Sequence, residues 1–177
     1  MRSDYVERDV FAHILSALTL ENRLALITSL TTGLRIDDVL HLKTADVLKG
    51  RFSIREMKTG KIRRIRLGKA LQGALISISG RYYVFEHRLD CKKTRTRQAV
   101  NKDLKRACEL FRVKGVNVTP HTARKIFAVG EYERTCDFKH VKELLNHSSE
   151  AVTNLYAIAD TITARETRKK AVNLPKI

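Results

Sequence analysis

The sequence predicts an α+β fold that is mainly α-helical, with a small three-stranded antiparallel sheet. Three observations support it: apolar residues recur at intervals of three and four over most of the chain, they alternate with polar residues in one central stretch, and the chain has the length of one domain. A chain of 177 residues buries roughly 70% of its unfolded surface around a single core. We therefore expect residues 1–177 to form one domain, with residues 161–177 as a C-terminal tail.

The first part of the chain predicts three helices. Apolar residues follow helical spacing over residues 6–18, and a second, more apolar helix covers about residues 21–31. Gly33 stands just beyond the second helix, where glycine favours a helix end. A short third helix covers about residues 35–42.

The period then changes to that of a β-strand. Residues 51–55 alternate apolar and polar side chains, residues 58–61 form a turn, and residues 62–67 return as a partner strand. This is a basic hairpin, and a short strand at about residues 82–85 completes the three-stranded sheet. A helix over residues 69–77 connects the hairpin to that strand.

Helical spacing returns in the last part of the chain. One helix covers residues 96–111, and Pro120 predicts a break after it. Three further helices follow, near residues 122–132, 138–145 and 151–158.

Basic residues outnumber acidic ones: 35 Lys and Arg stand against 19 Asp and Glu, for a formal net charge of +16. This imbalance exceeds what solubility requires and is typical of proteins that bind polyanions, so nucleic acid is the leading expected partner. An anionic membrane surface is the alternative, but the sequence has neither a lipidation motif nor a basic amphipathic helix beside an anchor. No apolar run approaches the roughly 20 residues that span a bilayer.

Cysteine usage and the N-terminal residues predict a cytoplasmic protein. Cys91, Cys108 and Cys136 are an odd number at wide spacing, which argues against a disulfide framework and against a zinc ribbon. Free thiols fit a reducing compartment. The first residues also lack the apolar stretch of a secretory signal.

Two arginines stand where they could bind a phosphate. Arg35 opens a helix directly after the turn at Gly33, and Arg124 follows His121 by three residues at a helix start. That spacing places His121 and Arg124 on one face, where the helix dipole also favours an anion. Paired guanidiniums hold the non-bridging oxygens of a phosphodiester in a fixed orientation. Each segment alone is weak evidence.

Four separated segments, taken together and in order, resemble the catalytic domain of the tyrosine recombinases, the phage-type integrase family. They are Thr32-Gly33-Leu34-Arg35 with Asp38 and Leu40-His41-Leu42; Lys58-Thr59-Gly60-Lys61; His121-Thr122-Ala123-Arg124; and Leu145-Asn146-His147 through Tyr156, nine positions after His147. The resemblance covers about residues 7–157. Ala123, Asn146 and Asp38 replace the Leu, Gly and Glu that are usual in the family, and none of these changes removes a reacting group.

The resemblance implies a covalent mechanism on DNA. Tyr156 would attack a DNA phosphate, form a 3′-phosphotyrosyl link and free a 5′-hydroxyl. Arg35 and Arg124 would clamp the scissile phosphate, and His121 would act as general base toward the tyrosine or as a further phosphate donor.

The remaining site residues follow from the same resemblance. Lys58, in the hairpin turn, would protonate the departing 5′-oxygen, with Lys61 as its competitor for that role. His147 would donate to a non-bridging oxygen, and Asp38 would support the arginine and histidine geometry. We expect no cofactor and no metal, because the arginines supply the positive charge.

The chain is expected to bind double-stranded DNA mainly through phosphates, which position a duplex without reading its sequence. The candidate contacts are Lys61, Arg63, Arg64, Arg66, Lys92, Lys93, Arg95 and Arg97. The resemblance also implies self-association on DNA, as a tetramer in the family, and a place at the nucleoid of a bacterial cell or of a phage or mobile-element host. About thirty residues precede Arg35, so the N-terminal core-binding domain usual in the family is expected to be absent.

The leading hypothesis is a site-specific recombinase or integrase, and two alternatives stay open. One is a basic DNA-binding accessory protein that keeps the fold without activity, although intact Arg35, Arg124 and Tyr156 argue against it. The other is an enzyme like the type IB topoisomerases, which share much of this chemistry but act without pairing two sites.

Overall fold

The computed structural model describes residues 3–145. The chain divides into two compact units, Met1–Phe127 and Ala128–Ile177, which we describe separately. The predicted helix at 151–158, the tail at 161–177, His147 and Tyr156 lie outside the described residues.

Four helices open the first unit: α1 (Arg8–Ser16), α2 (Leu20–Thr32), α3 (Ile36–Leu40) and α4 (Thr44–Lys49). The three predicted helices are confirmed, but α4 was not predicted. It has six residues and buries only Val47, so it produces no apolar period. Gly33 ends α2 with a φ of 67°, in the left-handed region that glycine adopts without strain.

The basic hairpin is confirmed as β1 (Arg51–Arg55) and β2 (Ile62–Arg66), paired antiparallel. In β2, Arg63 and Ile65 face inward while Ile62 is 65% exposed. Ile62 and Ile65 are three residues apart and cannot share one face of a strand of period two. On the outer face, Arg51 pairs directly with Arg66 across the hairpin.

The α+β, mainly helical fold is confirmed, but the predicted three-stranded sheet is wrong. The structure has instead a second two-stranded sheet, formed by β3 (Glu86–His87) and β4 (Asp90–Thr94). The Glu86 carboxylate accepts the N–H groups of Tyr82 and Tyr83 at 2.6 and 3.3 Å, which holds residues 82–85 in a turn. Tyr83 therefore makes only an isolated bridge, to Lys43.

The remaining helices are α5 (Lys69–Ile78), α6 (Arg97–Leu110), α7 (Pro120–Thr135) and α8 (Phe138–Leu144). The Thr96 hydroxyl caps α6 by accepting the Ala99 N–H at 3.2 Å. Pro120 is the first residue of α7 rather than a break before it, because proline lacks an N–H that the first turn does not use.

The first unit has one apolar core beneath these elements, to which α1, α2, α3, α5 and α6 contribute. Its largest fully buried side chains include Phe11, Ile14, Leu26, Leu34, Leu40, Leu75, Phe85 and Leu104. The turn between α2 and α3, which carries Gly33 and Arg35, is therefore fixed to the core by Leu34 on one side and Ile36 on the other.

In the second unit the structure describes the end of α7 and helix α8. The Asp137 carboxylate caps α8 by accepting the N–H groups of Lys139 and His140 at 2.8 and 3.1 Å. Tyr132 and Phe138 stack at 4.1 Å between ring centres. Across residues 3–145, no helix is long and apolar enough to cross a membrane.

Candidate active site

A buried carboxylate, Glu56, lies at the centre of the candidate site. Its side chain is fully buried after the end of β1, and Arg35 donates from Nη1 to its Oε2 at 2.7 Å. Arg63 approaches the other oxygen, with 3.5 Å between Nη1 and Oε1. Sequence reasoning missed Glu56, although it is the only acidic residue in the stretch 51–66 and stands two positions before Lys58.

The second predicted arginine reaches the same place from α7. Arg124 donates from Nη1 to the carbonyl oxygen of Gly33, two residues before Arg35. Arg63 also donates to this carbonyl and to that of Thr32. The last carbonyls of α2 have no partner within the helix, so two guanidiniums satisfy them. The structure thus brings Arg35 and Arg124 to one turn.

Burial and mutual repulsion act on the arginines. Burial lowers the pKa of Arg124 to about 9, and the positive charge of Arg35 contributes in the same direction. Burial also lowers the pKa of Arg63, against the opposing effect of Glu56. Arg124 still carries its proton at neutral pH, so the cluster keeps its positive charge in a place with little water.

The carboxylate of Glu56 stays ionised in this cluster. Burial alone would raise its pKa, but hydrogen bonds from Thr59 and Arg35 outweigh burial and hold the pKa below its usual value. Three guanidiniums, from Arg35, Arg63 and Arg124, therefore face this carboxylate and that of Asp38. Positive charge is in excess, as an anion-binding site requires.

Asp38 makes its hydrogen bond to the hairpin, and the predicted partners Arg35 and Arg124 act on it through their charges. Its Oδ1 accepts the backbone N–H of Met57 at 2.8 Å, next to the turn that carries Lys58. Among the residues that the structure describes, its Oδ2 has no hydrogen-bond partner. Burial raises the pKa of Asp38, and the nearby Glu56 adds to this effect. The visible role of Asp38 is to anchor the hairpin turn.

His121 lies in the first turn of α7, where its N–H donates to the Thr119 hydroxyl at 3.2 Å. The residue is exposed overall, yet partial desolvation of the ring lowers its pKa, and the charges of Arg97 and Arg124 add to the effect. Its imidazole is therefore neutral at physiological pH. A neutral imidazole can accept a proton, which is what the predicted general base must do.

Lys58 and Lys61 are both exposed at the hairpin turn. Lys58 lies within the turn, next to Thr59, whose hydroxyl donates to Glu56 Oε2 at 2.9 Å. Lys61 stands at the start of the return strand, where its carbonyl accepts the Glu56 N–H at 2.9 Å. The turn is thus connected to Glu56 twice: through the Thr59 hydroxyl, which bonds to the Glu56 side chain, and through the Lys61 carbonyl, which accepts the Glu56 N–H.

The structure corrects one prediction for the hairpin, that Arg63 contacts DNA. Arg63 is 9% exposed and bound to Glu56 and to carbonyls of α2, so it belongs to the buried cluster. Lys61, Arg64 and Arg66 are exposed and remain candidates.

The basic residues of the second predicted DNA-binding segment differ in exposure and in their partners. Lys92 is exposed, and Lys93 is exposed but paired with Asp90 at 3.2 Å. Arg95 is half-buried and donates to Asn22 Oδ1 at 3.2 Å, so it serves the packing of the domain. Arg97 lies 3.7 Å from a carboxylate oxygen of Asp37 and stays half exposed.

The described part of the chain brings together four of the six predicted catalytic residues in one unit. Arg35 and Arg124 meet at the α2–α3 turn, His121 precedes Arg124 by one helical turn, and Lys58 lies on the turn joined to Glu56. His147 and Tyr156 fall outside the described residues. Residues 3–145 contain no group of three metal-ligating side chains.

A mainly helical domain with clustered arginines, a neutral histidine and an exposed basic hairpin has the features of a protein that binds a defined phosphate. A model described as the phage integrase family matches residues 4–161. The chain belongs to the phage integrase family.

Curated relatives agree with this membership. Tyrosine recombinase XerA of Pyrococcus furiosus is 32% identical over 145 residues, which cover 77% of this chain and 50% of that protein. The chain thus spans about half the length of this relative. Probable integrase/recombinase YoeC of Bacillus subtilis is 30% identical over 152 residues, which cover 81% of this chain and 80% of that protein.

Solved structures show the same fold. The lambda integrase catalytic core matches with a TM-score of 0.68 and 22% identity, covering 84% of this chain and 94% of that one. The crystal structure of XerA recombinase matches with a TM-score of 0.66 and 20% identity, covering 93% of this chain and 66% of that one. At these identities the likeness concerns the fold.

Proposed function

We propose that this chain is the catalytic domain of a site-specific DNA recombinase, an enzyme that transfers DNA strands through a tyrosine. One observation carries the proposal: Arg35 and Arg124, 89 positions apart in the sequence, meet at one buried turn. Two guanidiniums held at one point suit the two non-bridging oxygens of a phosphodiester. Family membership supplies the reaction class.

The first task of the site is to bind the scissile phosphate. Arg35 and Arg124 donate to its non-bridging oxygens, where negative charge grows as the phosphorus is attacked. Their burial strengthens this interaction, because little water competes for the oxygens. Glu56 holds Arg35 and the Gly33 carbonyl holds Arg124, so both guanidiniums are already fixed at one turn before DNA binds.

The second task is the exchange of bonds. The Tyr156 oxygen attacks phosphorus and loses its proton to His121, the phosphorus–O5′ bond breaks, and Lys58 gives a proton to O5′. His147 donates to a non-bridging oxygen. The product is a 3′-phosphotyrosyl link, which keeps the energy of the broken bond, so that a 5′-hydroxyl can reverse the step without ATP.

The exposed basic residues extend the contact along the duplex. Arg64, Arg66 and Lys61 on the hairpin and Lys92 and Arg97 beyond it neutralise phosphates on either side of the cleaved bond. The lambda integrase has been solved as a dimer bound to a COC′ core site and as a tetramer bound to a Holliday junction. We propose that this chain likewise self-associates on DNA, at the nucleoid of its cell.

The test is covalent trapping on a nicked duplex, from which the short fragment that carries the new 5′-hydroxyl diffuses away after cleavage, so that rejoining cannot occur. We expect the wild-type protein to become attached to DNA, and Tyr156→Phe to bind the same duplex without attachment. Tyr82→Phe, a change at an exposed tyrosine of the first unit, is the matched control and should react normally.

Other outcomes would separate the alternatives. Tight DNA binding by the wild-type protein without any covalent product would identify an accessory protein. Relaxation of supercoiled DNA at many sequences, with no joining of two sites, would identify a topoisomerase-like enzyme. Attachment in Tyr156→Phe would assign the nucleophile to another residue.

A further inference from the structure

One oxygen atom connects the two halves of the candidate site. Glu56 Oε2 accepts a hydrogen bond from Arg35 Nη1 at 2.7 Å and another from the Thr59 hydroxyl at 2.9 Å. Arg35 belongs to the phosphate clamp, whereas Thr59 directly follows Lys58 in the turn. Glu56 is therefore the carboxylate that bonds directly to both the Arg35 side chain and the tip of the turn.

The backbone of the turn is held at its base but not at its tip. The Gly60 N–H donates to the Glu56 carbonyl at 2.8 Å, and the Met57 N–H donates to Asp38 at 2.8 Å. Lys58 itself is exposed. Within residues 3–145, the Thr59 hydroxyl is the side-chain group of the tip that reaches back to the cluster. Together with the Met57 bond to Asp38, it places the Lys58 backbone relative to Arg35.

We propose that Glu56 is a positioning residue that sets the Lys58 turn against Arg35, with the Thr59 hydroxyl as its contact to the turn. The inference rests on the proposed recombinase function and adds two residues to it. The two hydrogen bonds of Glu56 have different consequences for the reaction. The bond to Thr59 affects proton delivery to O5′ through Lys58, and the bond to Arg35 affects the charge on the non-bridging oxygens.

The effect of Glu56 on DNA affinity distinguishes a positioning role from a merely structural one, because Glu56 carries a charge. Glu56 is buried and ionised between Arg35 and Arg63, so its removal makes the site more positive. A more positive site binds a phosphate at least as tightly. If Glu56 acts by positioning, Glu56→Gln therefore slows cleavage without weakening DNA binding, whereas a variant with a damaged fold loses both.

The experiment compares single-turnover cleavage of a normal substrate and of one with sulfur in place of the bridging 5′-oxygen. Sulfur leaves without a proton, so it removes the need for Lys58. We expect Thr59→Val to cleave the oxygen substrate about tenfold more slowly, the effect of one lost hydrogen bond, and the sulfur substrate at the wild-type rate. Thr59→Ser, which keeps the hydroxyl, should match the wild type on both.

Glu56→Gln removes the negative charge and so weakens the bonds to both Arg35 and Thr59, and its two rates should therefore differ from those of Thr59→Val. We expect cleavage to fall about a hundredfold with oxygen and about tenfold with sulfur, because the part that acts through Arg35 is not rescued. The dissociation constant for DNA, measured on the same duplex, should stay equal or decrease. If Glu56→Gln proves to be unfolded, Thr59→Val decides the question alone.

Equal slowing of Thr59→Val on both substrates, or no slowing on either, would overturn the inference. Complete rescue of a folded Glu56→Gln by sulfur would also overturn it, because Arg35 would then be independent of Glu56. Failure of the proposed function looks different: the wild-type protein itself would cleave neither substrate.

Discussion

Arg124 donates a hydrogen bond to the carbonyl oxygen of Gly33, a residue 91 positions earlier that ends helix α2 in a left-handed conformation. The contact joins the start of α7 to the turn that presents Arg35. A Cβ at position 33 would also run into the ring of Phe127. The arrangement of the two arginines that we propose to clamp the phosphate therefore depends on a residue with no side chain.

Gly33→Ala should destabilise the fold by about 2–4 kcal/mol, from the strained φ and the overlap with Phe127 together. The measurement is the free energy of unfolding in urea. Gly115→Ala is the matched control, because Gly115 also has a positive φ, of 76°, but a Cβ there would meet nothing within 4 Å. It should cost only about 1–2 kcal/mol. Equal losses at the two positions would contradict the role of Phe127.

The identity of the general acid can be decided between Lys58 and Lys61. Lys58→Ala should slow cleavage of a normal substrate by about a hundredfold or more. A bridging 5′-sulfur should restore its rate, because sulfur departs without a proton. The same substitution should not rescue Arg35→Ala, whose defect lies in the non-bridging oxygens.

Lys61→Ala is the control in that experiment and should cleave the oxygen substrate normally once bound. Selective rescue of Lys61→Ala by sulfur would move the acid to Lys61. Rescue of neither lysine variant would mean that the proton comes from another group.

Exposed arginines on the hairpin should appear in the salt dependence of DNA binding. Arg64→Ala should reduce the slope of log affinity against log salt by about one, the effect of one lost phosphate contact. Arg134→Ala is the control, because Arg134 is exposed but paired with Glu131 at 2.7 Å in the second unit. Binding measured across roughly 50–200 mM salt that showed no slope for the wild type would contradict phosphate contacts altogether.

The pH dependence of cleavage tests His121 as the base. Because its pKa is lowered, the neutral form persists below the usual range near 6.5, and cleavage should decline only as the pH falls through the lowered pKa. Arg97→Ala removes one cause of the lowering and leaves Asp37, which raises the pKa. The acidic limb should then move to higher pH in single-turnover rates at saturating DNA. A shift to lower pH would contradict the assignment.

The sequence predicts the longer helices of this fold well because their apolar residues follow a clear period, and it misses the six-residue α4, which has none. It fails at Arg63, where the deciding information is the pairing of β2 with β1. A buried arginine in a strand looks like a surface charge until the partner carboxylate is visible, and Glu56 is separated from Arg63 by a turn. The prediction placed Arg63 at the DNA, whereas in the structure Arg63 is buried and its apolar neighbour Ile62 is exposed.

The third strand was mispredicted for a similar reason. Residues 82–85 have the composition of a strand, but Glu86 accepts backbone N–H groups from Tyr82 and Tyr83 and so stabilises a turn. Side-chain contacts to backbone of this kind have no periodic signal. The motifs of the proposed site are recognisable because they are defined by residue types in a fixed order, whereas Glu56, which bonds to Arg35 and Thr59, stands outside any motif.

Arg51 lies directly opposite Arg66 across the hairpin, so salt should affect the stability of the free hairpin and the proposed DNA complex in opposite directions. Like charges directly opposite each other destabilise a strand pair, so ions that screen them make the unbound hairpin more stable. In the proposed DNA complex the same ions would compete with the hairpin for phosphates. In dilute buffer the unbound hairpin therefore keeps the full repulsion between Arg51 and Arg66, and a bound polyanion would reduce it.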